Sequence, residues 1–118
     1  MGIAMADIRE WRGQPVVDEK DRRIGTLESV YVETATDEPF FATVLTGVTK
    51  RRLVFVPLEG SVAGPAYLRV PYPKAKVKQA PAIGTDDILP ATDEPEVFAY
   101  YELPYATGTG GERRLARR

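Results

Sequence analysis

The side chains of this 118-residue sequence that could do chemistry are carboxylates, lysines, arginines, tyrosines and two serines, because the chain contains neither Cys nor His. Without Cys there is no thiol nucleophile, disulfide, zinc ribbon or iron–sulfur site. Without His, the commonest proton shuttle and metal ligand are missing. Ser29 and Ser61 lack the glycine-flanked setting of a nucleophile elbow. We therefore expect no catalytic residues, no enzymatic activity and no cofactor.

An acidic run near the C-terminal end is the strongest candidate for a metal site. Its members are Asp86, Asp87, Asp93, Glu94 and Glu96. The run lacks the alternating ligands and central glycine of a calcium loop, and Asp18 with Asp21 fails the same test. We interpret the run as a solvated strap with carboxylates at the start of a helix, and we expect no metal site.

The basic side chains at one predicted hairpin tip are candidates for partner binding. Lys50, Arg51 and Arg52 follow each other there, and such a cluster could hold phosphate or an acidic protein surface. The alternative is a solvated turn whose charges protect a sheet edge from pairing with another chain. Trp11, Tyr100 and Tyr101 offer a similar choice between a recognition patch and the seal of a core.

Charge is distributed unevenly along the chain, although the formal net charge is only −1. The last 13 residues carry four Arg and one Glu, which leaves twelve basic and sixteen acidic residues, a net −4, in the rest. We predict a flexible N-terminus at 1–6, one domain at 7–105 and a disordered, Gly- and Arg-rich tail at 106–118. The arginines of the tail are Arg113, Arg114, Arg117 and Arg118, which could contact RNA or anionic lipid.

The middle of the chain predicts β-strands, and the end predicts helices. Residues 40–46 and 53–58 are apolar on both faces, so either the C-terminal segment or a partner chain must cover the second face. Residues 23–33 alternate imperfectly, which indicates a bulge or bend near Gly25. Pro73 begins a short Lys-rich helix, and Val97, Tyr100 and Tyr101 have helical spacing on another.

Several segments, in this order and spacing, resemble the PRC-barrel family. They are Gly13–Asp18, Arg23–Val32, Ala42–Gly47, Phe55–Leu58, Leu68–Tyr72 and Ala80–Pro81. The Asp-Ile-Arg-Glu-Trp opening and the Tyr-Tyr-x-x-Pro-Tyr ending are similar to the stand-alone members from high-GC bacteria. The family's usual Asp-x-x-Gly turn is absent, since residues 18–21 are Asp-Glu-Lys-Asp.

The resemblance implies a mainly β fold, a small antiparallel PRC-type β-barrel with short C-terminal helices. In the ribosome maturation factor RimM and in the photosynthetic reaction-centre H subunit, the barrel is a docking module without shared catalytic residues. We expect a non-catalytic adaptor of the bacterial cytoplasm that binds a protein, its own second copy first of all, as a homodimer. The expected contact residues are Phe41, Lys50, Arg51, Arg52 and Tyr67.

Two other functions stay open from the sequence. An RNA- or ribosome-associated factor is suggested by RimM and by the Arg-rich tail, although the acidic remainder of the chain disfavours it. A small-ligand pocket in or beside the barrel ranks third, because small barrels are normally filled by their own side chains. We expect neither DNA binding nor a membrane span, since no apolar run is long enough.

Overall fold

The computed structural model of the chain describes residues 12–34, 36, 38–47, 51–64, 66–83, 89, 93–103 and 115–117. In those residues the chain is mainly β, with two short helices. The strands are β1 (Pro15–Val17), β2 (Arg23–Glu33), β3 (Pro39–Thr46), β4 (Arg52–Pro57), β5 (Val62–Ala63), β6 (Leu68–Arg69), β7 (Ala82–Ile83) and β8 (Leu115–Arg117). The helices are α1 (Lys74–Lys78) and α2 (Glu94–Tyr100). The predicted flexible N-terminus at 1–6 lies outside the described residues.

The strands form one sheet in the order β5-β6-β1-β2-β3-β4-β7, and β8 pairs with β2. All neighbours are antiparallel except β1 and β6, which run parallel. Within the described part of the chain no pairing joins β5 to β7, so the sheet is open there. The mainly β prediction with short helices is confirmed, and closure into a barrel stays a prediction. Among the described residues no helix is long and apolar enough to cross a membrane.

Strand β2 bends, as its imperfect alternation predicted. Its pairing with β1 changes register between Val16 and Val17, where Val16 faces Gly25 and Val17 faces Arg23. Its pairing with β3 shifts again between Leu27 and Ser29. Each shift leaves one residue of β2 without a paired residue on the neighbouring strand, which increases the local twist of β2.

The two apolar faces of the β3–β4 hairpin are covered by other parts of the same chain. Phe41 is fully buried, and its ring contacts the rings of Phe98 and Tyr101 at centroid distances of 5.3 Å and 6.4 Å. Helix α1 packs on β2 and β4 and buries Val77. Of the two predicted covers, the C-terminal segment is therefore the one that the structure contains.

The C-terminal segment also supplies a strand within the predicted disordered tail. Leu115–Arg117 pair with Glu33–Tyr31 of β2, and disorder of the tail as a whole stays a prediction. The strand is anchored by Leu115, which is fully buried. Its backbone N–H donates to Oε2 of Glu94, a carboxylate that is itself 0% exposed. The rest of the tail, 106–114 and Arg118, lies outside the described residues.

Candidate functional site

A cleft of about 440 Å³ lies where helix α1 faces the start of β2 and the β3–β4 hairpin. It is lined by Arg23, Ile24, Gly25, Thr26, Leu45, Gly47, Arg51, Lys74 and Lys78. Four of these side chains are cationic, and none is acidic or aromatic. The lining thus combines a strongly positive rim with two apolar side chains, Ile24 and Leu45.

The cations reach the cleft from three separate parts of the chain. Arg23 begins β2, Arg51 directly precedes β4, and Lys74 and Lys78 are the first and last residues of α1. Residues four apart on a helix lie on the same side, so both lysines border the same cleft. Within the described residues, Arg51, Lys74 and Lys78 form no ion pair. No carboxylate of the described residues neutralises these three charges.

Arg52 fixes the C-terminal end of α1 against the hairpin. Its guanidinium donates from Nη1 to the carbonyl oxygen of Lys78 and from Nη2 to that of Ala80, the second at 3.1 Å. A helix end leaves such carbonyls without partners in the helix, and a cation there is favourable. Arg52 therefore positions Lys78, and its guanidinium is committed to this contact.

Asp18 fixes the other end of α1. Its side chain is buried, and Oδ2 accepts a hydrogen bond from the backbone N–H of Lys74 at 3.2 Å. The same carboxylate accepts hydrogen bonds from the backbone N–H groups of Lys20 and Arg22, at 2.9 Å and 3.0 Å, and from Nε of Arg22, at 2.9 Å. One carboxylate thus holds together the β1–β2 turn and the first residue of the helix.

These hydrogen bonds change the acidity of Asp18. Burial raises the pKa of the carboxyl, but three backbone N–H groups and one guanidinium outweigh burial and lower the pKa to about 2. Asp21, three residues further along the same turn, has a φ of 61°. It stands where the family's Asp-x-x-Gly turn has glycine, and aspartate is one of the few residues that enter this left-handed region.

We expect acid to destabilise the protein through Asp18. Because its folded-state pKa is lowered, its stabilising effect is complete above the ordinary value of 3.8 and is lost as the pH falls toward about 2. The melting temperature should fall across that interval. Asp18→Asn should lower the melting temperature at neutral pH and should flatten its decline in acid.

Asp93→Asn is the matched control, because Asp93 is exposed and makes no side-chain capping hydrogen bond. This variant should keep the acid profile of the unmodified protein. Thermal unfolding followed by circular dichroism at a series of pH values measures all three proteins. An acid profile of Asp18→Asn that is as steep as the original would contradict the assignment.

The predicted contact residues do not form one surface. Arg51 is exposed and lines the cleft, and Arg52 lies beside it but is held by α1. Phe41 is 0% exposed because its ring packs under α2, so it does not share a surface with Arg51, and a partner contact at Phe41 stays a prediction. Tyr67 does not line the cleft, and its ring stacks under the guanidinium of Arg69 at 5.0 Å. Lys50 lies outside the described residues.

Sequence reasoning missed Arg23, Lys74 and Lys78 as candidates for this site. The four-residue spacing of the two lysines on a short helix was a usable signal for a shared face. No local signal could have shown that this face meets Arg51. This contact depends on the hydrogen bonds of Asp18 to Lys74 and of Arg52 to Lys78, which join residues more than twenty positions apart in the sequence.

Ser29, Tyr100 and Tyr101 have structural roles. Ser29 is buried, and its hydroxyl lies 2.8 Å from that of Thr43 across the β2–β3 pair. Tyr101 is buried and donates its hydroxyl to the carbonyl oxygen of Phe55 at 2.6 Å; burial raises the pKa of this phenol. Tyr100 donates its hydroxyl to the carbonyl oxygen of Lys76. These two tyrosines belong to the packing between α1, α2 and β4.

The acidic run is only partly described. Glu94 and Glu96 lie in the first turn of α2, as the interpretation of carboxylates at the start of a helix expected, and the Glu94 side chain is buried against β8. Among the described residues no group of three acidic side chains could hold a metal ion. Trp11, Asp86, Asp87, Arg113, Arg114 and Arg118 lie outside the described residues.

Comparison with models of known protein families shows which family the chain belongs to. Residues 4–77 match the family model of the PRC-barrel domain. The chain belongs to the PRC-barrel family. Membership predicted from the sequence is thereby confirmed. The match ends inside α1, so in this PRC-barrel chain Lys78, α2 and β8 lie beyond the matched residues. No curated protein matches the chain.

Proposed function

We propose that this PRC-barrel chain is a non-catalytic docking module that binds a protein partner with the face that carries the basic cleft. The observation that carries the proposal is the convergence of four cations on one cleft without a lining carboxylate. Exposed charges of one sign attract and orient a partner of the opposite sign. The composition without Cys or His fits a binding role better than a catalytic one.

A partner other than a second copy of this chain fits the packing better. The expectation of a homodimer depended on uncovered apolar faces of β3 and β4. These faces are buried by α1, α2 and their neighbours, and in the described residues the exposed large hydrophobic side chain is Val62, at 48%. The apolar surface that a stable homodimer would bury is therefore not provided by this hairpin.

RNA is the second candidate, because a row of four cations also attracts phosphates. Two observations favour protein over RNA. No aromatic side chain lines the cleft, so unpaired bases would have no ring on which to stack. The chain outside the last 13 residues carries a net −4, and because repulsion grows with the number of charges on the ligand, it disfavours a long RNA more than a short acidic segment of a protein.

Photo-crosslinking in the native cells tests the proposal. A photoreactive amino acid replaces Gln79, which is exposed and follows the cleft residue Lys78, and in a second strain replaces Val62 on β5. We expect position 79, and not position 62, to capture a discrete protein that survives RNase treatment. Combining the probe at position 79 with Arg51→Glu and Lys78→Glu should abolish the capture.

The matched control for the charge reversals is the pair Arg12→Glu and Lys20→Glu, which changes two exposed cations outside the cleft. This pair should leave the capture intact. A product that consists of two copies of the chain would select the homodimer, and a product lost on RNase treatment would select RNA. Equal labelling from positions 79 and 62 would exclude this face as the docking surface.

A further inference from the structure

We infer that the cleft binds an extended acidic segment of its partner, with carboxylates on alternate residues. This inference rests on the proposed docking function and names the chemistry that the cleft would recognise. It uses three properties of the lining residues: the spacing of the two lysines, the positions of the two arginines and the apolar side chains between them.

The spacing of the lysines matches an extended peptide. Lys74 and Lys78 are separated by four residues of helix, a rise of about 6 Å. In an extended chain, side chains on the same face repeat every second residue, at about 6.6–6.8 Å. Two carboxylates separated by one residue can therefore each approach one lysine. Adjacent carboxylates point to opposite faces of such a chain and cannot.

The arginines give the cleft two further places for an anion. Arg51 lines it from the residue before β4, and Arg23 lines it from the start of β2. Nη2 of Arg23 donates to Oγ1 of Thr26 at 3.0 Å, which restrains the guanidinium beside the cleft. Arginine presents paired N–H groups that suit a carboxylate. A restrained guanidinium loses less conformational freedom when an anion binds.

The remaining lining suits a peptide backbone and aliphatic carbon. Ile24 and Leu45 offer apolar contact to the methylene groups of glutamate or to an intervening side chain. Gly25 and Gly47 contribute only backbone to the lining of the cleft. Charged and apolar contacts in the same cleft suit an acidic segment interrupted by aliphatic residues better than a simple inorganic anion.

Fluorescence anisotropy with three short synthetic peptides tests this inference. One carries glutamates on alternate residues separated by valine or threonine, the second has the same composition with the glutamates adjacent, and the third has glutamine for every glutamate. We expect the alternating peptide to bind about fivefold more tightly than either other peptide, as two exposed ion pairs allow. Raising the salt concentration from ~0.05 M to ~0.3 M should weaken the binding of the alternating peptide.

Variants of the chain show whether the cleft is the binding site. Lys74→Gln combined with Lys78→Gln should reduce affinity for the alternating peptide about fivefold, and Lys20→Gln, outside the cleft, should leave it unchanged. Thermal unfolding checks that each variant is folded. Equal binding of the glutamate and glutamine peptides, or no effect of the two lysine substitutions, would overturn the inference.

A competition experiment shows whether the cleft prefers phosphate to carboxylate. If inorganic phosphate or an oligonucleotide displaces the alternating peptide at a lower concentration than unlabelled peptide does, the cleft prefers phosphate and the inference is wrong. If the peptides fail while position 79 still captures a protein in cells, the docking function stands and only the acidic-segment chemistry falls. If both fail, the docking function falls as well.

Discussion

Replacing Phe98 by alanine should lower the free energy of unfolding by about 3–5 kcal/mol, the range for large aromatic side chains removed from a packed core. Phe98 is 0% exposed and lies on the buried side of α2. Its ring contacts Phe40 at a centroid distance of 5.4 Å and Phe41 at 5.3 Å, both edge to face. Such pairs add attraction beyond the burial of apolar area.

The size of this effect tests whether α2 belongs to the core of the domain. The helix lies beyond residues 4–77, the part that matches the family. If α2 were only a covering segment, its loss would leave β3 and β4 stable by themselves. Because the ring of Phe41 packs edge to face against Phe98 of α2 as well as against Phe55 of β4, we expect cavity formation at Phe98 to weaken the whole sheet.

Urea unfolding followed by circular dichroism measures the change. Glu96→Ala is the matched control, since Glu96 is exposed on the same helix and alanine is a good helix former. The control should change the free energy of unfolding by less than ~0.5 kcal/mol. A loss at Phe98 no greater than that of the control would mean that the sheet does not depend on α2.

Replacing Gly25 by alanine should lower the free energy of unfolding by about 3 kcal/mol, at the upper end of the usual cost of overfilling a packed site. A Cβ atom on Gly25 would lie 2.2 Å from the carbonyl oxygen of Leu45 and 2.8 Å from Cγ1 of Val44. The first obstacle is backbone, which has no rotamer to change. Strands β2 and β3 would have to separate locally.

Gly13→Ala separates this clash from the general cost of adding a side chain. Gly13 has φ +87°, but a Cβ there would meet nothing within 4 Å. The variant should therefore lose only about 1–2 kcal/mol, the cost of a left-handed backbone for an L-residue. Denaturant titration of both variants gives the comparison. If Gly13→Ala is the more damaging change, the close approach of β2 to β3 is not what constrains Gly25.

The sequence predicted those parts of the fold that depend on near neighbours. Alternating and doubly apolar runs identified β2, β3 and β4, and the imperfect alternation of residues 23–33 indicated the bulge near Gly25. Pro73 marked the start of α1. Each of these signals acts over a few residues, where steric preference and burial are sufficient to select a conformation.

The sequence could not predict contacts that join distant segments. Arg51 was found because it lies in a visible basic cluster, but Lys74 and Lys78 come to it only through the links of Asp18 and Arg52 to α1. Asp18 looked like an ordinary turn residue, and Phe41 looked like a candidate for the surface. Their burial depends on α1 and α2, and no property of their immediate neighbours reveals it.

The edge of β2 has a consequence for synthesis on the ribosome. Its first half pairs with β1, which is made earlier, and its second half, Tyr31–Glu33, pairs with β8. A growing chain therefore carries an open strand edge until Leu115–Arg117 have been synthesised. Open edges are the places where unfinished chains pair with one another. Strand β8 thus protects this half of β2 from pairing with another chain.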